Sequence, residues 1–240
     1  MITRKKEFLN LFNIIAAPTE VYGDINEFPR WRMPFVFLLI SSLTIGWFMI
    51  PVIIEPMKKI FTSSFGEDAS GGAIKGVMKS ILIVQLIIEP VFKLLRWFVF
   101  SGSLYILSLF FVENDSHLFK RIFSVVAYAE GIFIFMSLLT LLIVYAKGLD
   151  SIEGENDITI FKGLDFFLKD RNSNPTLAAI LNNVNPFSIW YVATIAIGLR
   201  VVNKIERLKS VGIASMSWLI WIALNIMQSN ATKFLTNLIL

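Results

Sequence analysis

The stretch PFVFLLISSLTIGWFMIPVII, residues 34–54, carries no charged side chain. At 1.5 Å per helical residue it would reach about 31 Å, the thickness of a bilayer's hydrocarbon core. It is entered through Arg30-Trp31-Arg32, an aromatic between two cations, as at a membrane interface. Four further apolar runs follow. Residues 81–112 would reach about 48 Å as one helix, too long for a single crossing. Glu89-Pro90, Lys93 and Arg96 interrupt this run, so the span is placed at 92–112, with 81–91 as an interfacial or kinked lead-in. The remaining runs are 122–146, 187–202 and 211–226. Asn185-Pro186 opens the fourth span, Asn as cap and Pro as first helical residue. The pattern predicts an all-α membrane protein, a bundle of five transmembrane helices with amphipathic surface helices. Residues 1–33 read as an amphipathic N-terminal segment, 34–240 as the membrane domain and 147–185 as its outer loop.

Composition agrees with this reading. Of 240 residues, 55% are AVILMFWYC and 17% are charged, against about 25% charged in soluble domains. The mean hydropathy is +0.68. These values exclude an ordinary cytosolic enzyme, a disordered chain and a secreted disulfide scaffold. The absence of Cys removes disulfides, thiolate metal sites and a Cys nucleophile, and a single His, His117, removes multi-His zinc sites. The net charge of +4 and pI near 9.3 fit contact with anionic headgroups and call for no nucleic acid. The sequence holds no phosphate loop and no Ser/His/Asp set, and the five spans contain no Asp or His. No enzyme and no cofactor is expected.

Orientation follows from Lys and Arg. With the N-terminus inside, the inner segments carry eleven: Arg4, Lys5, Lys6, Arg30, Arg32, Lys120, Arg121, Arg200, Lys204, Arg207 and Lys209. The longer outer segments carry nine, and the 147–185 loop is rich in Asp and Glu. The N-terminus is therefore placed inside and the C-terminus outside. Near the start, Phe8, Leu11, Phe12 and Ile15 recur at i, i+3, i+4 and i+7, one face of a helix lying on the inner surface. Pro18 ends it, and Thr19 is placed to cap a second short helix, Glu20 to Glu27. Outside, Phe161, Leu164, Phe167 and Leu168 form a similar stripe, and 177–181 reads as a helix leading into the fourth span.

Three stretches in order resemble the Yip1 family of five-span membrane proteins, particularly its bacterial members. They are Ala17-Pro18-Thr19-Glu20-Val21-Tyr22 with Pro29-Arg30-Trp31 beyond it, then 119–129 (FKRIFSVVAYA), then 181–190 (LNNVNPFSIW) with Ala196-Ile197-Gly198-Leu199. The family-like positions are Pro18, Glu20, Asn185, Pro186, Trp190 and Gly198. The resemblance implies a cytoplasmic N-terminus, an integral location in a bacterial cytoplasmic membrane and a non-enzymatic role. It also implies membrane-protein partners: eukaryotic members are associated with vesicle trafficking, and some bacterial members accompany ABC-type exporters. It brings no catalytic residues. Glu113-Asn114-Asp115-Ser116-His117 stands where such proteins often have a Gly-Gly turn.

Two groups of ionisable residues lie in or near the spans. Glu89, Lys93 and Arg96 share a helix face and reach the outer interface. They form either a self-satisfied interfacial set or, with Glu55, a polar outer vestibule. Glu130 lies eight residues past Ile122, about 12 Å from the inner boundary. It is either a structural tie to Arg200 across spans three and four, or a proton or cation site. The favoured role is a non-catalytic membrane protein that organises or assists other components, an exporter or a second copy of itself. The rival is a small oligomeric transporter or channel using Glu130.

Overall fold

The computed structural model describes residues 4–65, 72, 76–77, 79–80, 89–113, 116–148, 152, 160–161, 163–168 and 175–239, with side chains at 55–65, 89–90, 175, 225 and 228–239 excepted. These residues form helices and turns, with no strand among them. The helices are α1 (Arg4–Ala16), α2 (Pro18–Glu27), α3 (Arg32–Phe65), α4 (Glu89–Ser108), α5 (Leu118–Ala129), α6 (Gly131–Lys147), α7 (Pro175–Asn182), α8 (Pro186–Asn203) and α9 (Arg207–Ile239). Five stretches are long and apolar enough to cross a membrane: Arg32–Ile54, Val91–Ser108, Leu118–Lys147, Pro186–Asn203 and Arg207–Leu224. The second ends four residues short of the expected 112, because Phe111 and Val112 donate their N–H groups back to the Ser108 carbonyl in a turn. The third is two helices, α5 and α6, broken at Glu130. Of the lead-in 81–91, residues 81–88 lie outside the described residues, as does much of the 147–185 loop.

The chain divides into two units. The first comprises residues 1–33, 97–132 and 162–240. Its centre is α8, which packs against α2, α5 and α9. Small residues make that possible, since helices in lipid associate by close approach rather than by expelling apolar surface from water. α5 is buried almost all round: Leu118, every residue from Ile122 to Ala129, and the following Glu130. Phe123 sits among aromatic rings, 5.5 Å from Trp31 and 4.8 Å from Phe98 between centroids. A 3-10 turn at Leu164–Phe167 docks on the end of α7. Gly163 allows this, because a Cβ there would stand 2.4 Å from the Asn182 carbonyl oxygen. Of the expected outer stripe, Leu164 and Phe167 face outward.

The second unit comprises residues 34–96 and 133–161. Val52 of α3 and Val144 of α6 are buried together with Ile152, and Met49 and Ile160 pack against them. Tyr145 donates its hydroxyl to the Phe48 carbonyl oxygen at 2.8 Å.

Candidate functional site

The N-terminal helices supply the first part of the site. Pro18 begins α2, with Ala17 rather than Thr19 at the cap position. Its fixed φ and missing N–H suit the first helical turn. One face of α2, Val21, Tyr22 and Ile25, is buried against α8 and α5. Tyr22 Oη lies 3.5 Å from the Val125 carbonyl oxygen, a long hydrogen bond, and burial pushes the Tyr22 phenol well above its ordinary pKa. Opposite stands Gly198 of α8. A Cβ there would meet Val125 Cγ1 at 2.3 Å and Tyr22 Cε2 at 3.2 Å. Gly198 is therefore where α2, α5 and α8 converge.

α1 turns inward a face that shares only Leu11 with its apolar stripe. Glu7, Asn10, Leu11 and Ile14 are buried, while Phe8 and Phe12 are about half exposed. The polar members are satisfied locally. Arg30 pairs with Glu7, Lys6 Nζ lies 2.7 Å from Asp24 Oδ1, and Asn10 Nδ2 donates to Asp24 Oδ2 at 3.0 Å. Burial pushes the Asp24 carboxyl up, but the hydrogen bonds from Lys6 and Asn10 outweigh it and hold the group below its usual range. With its charges met within the hairpin, α1 lies over α5, and Gly131 lets Ile14 come within 3.3 Å of where a Cβ would be.

Glu130 is buried at the α5–α6 junction, and its N–H donates to the Val126 carbonyl at 3.2 Å. Arg200 is on the exposed side of α8, whereas Glu130 is buried. Arg200 lines an open groove of about 640 Å³ between α2, α8 and α9. Arg207, Ser210 and Thr19 stand in the same groove, and Ala193, Ala196 and Ile197 help form its apolar wall. In the second unit, Lys93 Nζ donates to Ser42 Oγ at 2.5 Å, tying α4 to α3. Arg96 lies over the Phe133 ring, 5.7 Å from its centroid. The side chains of Glu55 and Glu89, the other members of the expected outer cluster, lie outside the described residues.

A family model, the Yip1 domain, matches residues 12–227. The chain belongs to the Yip1 family. No curated protein matches it, and no solved structure does. In this Yip1 chain the family-like positions act on helix ends and helix contacts. Asn185 Oδ1 accepts from the N–H groups of Phe187 at 3.0 Å and Ser188 at 2.9 Å, and Ser188 Oγ accepts from the Asn185 N–H in return. This is a reciprocal cap with Pro186 in the first turn. Trp190 packs near Phe187, 6.2 Å between ring centroids. Glu20 is exposed on α2, in its first turn, where a carboxylate favours the helix dipole.

Sequence reading missed Tyr22 and Val125 as partners of Gly198, the Glu7–Arg30 pair, and the company Arg207 and Ser210 keep with Arg200. One signal was present for the last. Arg200 and Arg207 bracket the α8–α9 turn, where both spans reach the boundary of the apolar region. The Tyr22 seat left no comparable signal, because 176 residues separate it from Gly198.

Proposed function

We propose that this Yip1-family membrane protein is a non-catalytic component that organises or assists other membrane proteins, an ABC-type exporter or a second copy of itself. The reading places it in a bacterial cytoplasmic membrane, N-terminus inside and C-terminus outside. The observation that carries it is where the polar side chains of the spans go. Thr44, Ser124, Ser137 and Thr140 each donate to a carbonyl four residues back in their own helix. Asn185 caps α8 and Lys93 ties α4 to α3. These groups bond within their own helix or to a neighbouring one, which supports a scaffold. Large apolar side chains such as Phe92, Leu95 and Ile106 are meanwhile exposed on α4 and available to lipid or to another membrane protein.

Crosslinking in the native membrane, followed by purification in mild detergent, should recover a membrane-protein partner at fixed stoichiometry. The second reading, an oligomeric transporter, draws on the burial of Glu130 within the third span. Recovery of the chain alone, with pH- or cation-dependent flux in proteoliposomes that Glu130→Gln abolishes, would replace the scaffold by that reading. The orientation has its own test, made simple by the absence of Cys. A Cys at Ser151 should label from outside and one at Lys209 should not; the reverse pattern inverts the topology.

A further inference from the structure

The groove beside α8 combines charge and apolar surface in a fixed order. On α8, Ala193, Ile197 and Arg200 follow at i, i+4 and i+7, so they share one helix face. Arg200 is in the last turn of a span, and Ala193 lies about 10 Å further into it along the helix axis. Arg207, the first residue of α9, stands in the groove at the same end. The hydroxyl residues Thr19 and Ser210 also line the groove, Ser210 donating to the Arg207 carbonyl oxygen at 2.8 Å. Among the described residues the lining carries two guanidiniums and no carboxylate. The nearby Glu206 is held by Lys209 at 3.1 Å.

We propose that this groove binds one anionic phospholipid, its phosphate between Arg200 and Arg207 and an acyl chain along Ala193 and Ile197 toward the bilayer centre. A guanidinium presents parallel N–H donors that match phosphate oxygens, and two of them provide a clamp rather than a diffuse field. Their position at the ends of two spans is the level at which lipid phosphates lie. The apolar wall selects the source of the phosphate. A free phosphate ion gains nothing from Ala193 and Ile197, whereas an acyl chain covers them. The small Ala193 leaves the width such a chain needs.

The test uses the full chain, delipidated in mild detergent and titrated with phosphatidylglycerol, phosphatidylcholine and water-soluble glycerol phosphate. Bound lipid is counted by native mass spectrometry, and thermal stability is followed in parallel. One phosphatidylglycerol should be retained, with a saturable rise in Tm, at an affinity well above that of phosphatidylcholine. The double variant Arg200→Gln, Arg207→Gln should lose about tenfold in affinity or more. Both side chains are exposed, so this variant should fold with an unaltered lipid-free Tm, and Arg200→Lys with Arg207→Lys should recover only part of the loss. Ala193→Phe should block the lipid while leaving any response to glycerol phosphate unchanged. Equal phosphatidylglycerol binding by the double Gln variant and wild type would overturn the proposal. So would an equal loss on neutralising the exposed Lys5 and Lys120, which do not line the groove; that would mean a diffuse surface field. Glycerol phosphate binding as tightly as phosphatidylglycerol would make the groove a soluble-anion site and refute the lipid.

Discussion

α5 and α6 are two halves of one apolar run, yet they have opposite surroundings. α5 carries Ser124 and Tyr128 and ends on Glu130, and it is buried on nearly every side. α6 is the more uniformly apolar half, and it leaves Leu138, Leu142 and Tyr145 exposed while burying Ile132, Ile134 and Val144. In water the order would be reversed. In a bilayer, lipid tails accept Leu as readily as a protein interior does, so apolarity does not decide which face is covered. Close packing and polar contacts decide it instead. α5 is covered because Gly198 admits Val125, and because α1 and α2 bring their charges already paired.

The contrast has measurable consequences, and Gly198→Val should give the largest. The added side chain collides with Val125 and Tyr22, and overpacking of this kind costs about 3 kcal/mol or more. Denaturation in detergent should show that loss, and adding Val125→Ala should return part of it. Additive losses would separate the two residues and break the account of why α5 is covered. Ile122→Ala should come next, at about 2 kcal/mol. That is the low end of the soluble-protein range, because in lipid the packing loss remains while most of the transfer term falls away. Asn185→Ala removes the cap that starts α8 against α5 and should cost about 1 kcal/mol in the same assay.

A smaller effect should come from acid. The folded Asp24 pKa lies below its ordinary value of 3.8, so its contribution is complete above that value and is lost as pH falls through the folded one. Because Lys6 is more than half exposed, the contribution should stay below about 1 kcal/mol. Hydrogen exchange in α1 should rise on acidification in the parent, and Asp24→Asn should lift it already at neutral pH. The smallest change is expected on α6: Leu142→Ala, at an exposed site, should stay within about 0.5 kcal/mol. A loss there as large as that of Ile122→Ala would erase the contrast between the two helices.

The spans were legible because their lengths and apolarity answer to one external dimension, the bilayer. The Asn185 cap was legible because its donors and acceptor lie within three residues. The one-residue turn at Glu130 was not, since an apolar run continues on both sides and Glu130 itself keeps helical dihedrals. For α1 the periodicity was legible, and the face the helix packs inward was not. The stripe of Phe8, Leu11, Phe12 and Ile15 suggested one bilayer-facing side, whereas Leu11 faces protein together with Glu7, Asn10 and Ile14. Only long-range pairing reveals that, through Arg30 and Asp24. Likewise, the charge of Arg200 was visible and its neighbours across the α8–α9 turn were not.

The seat of Tyr22 between Val125 and Gly198 also sets an order in time. Tyr22 leaves the ribosome long before Gly198 does, 176 residues earlier. At ~5–20 residues per second that is an interval of about 10–35 s. Throughout it α2 has no α8 to rest on, and until Val125 follows, 103 residues after Tyr22, its face of Val21, Tyr22 and Ile25 lacks α5 as well. Helices α1 and α2, made before the spans, are thus completed only when α8 arrives. A nascent chain halted before residue 198 carries an unseated hairpin, a form that quality-control proteases can distinguish from the finished protein.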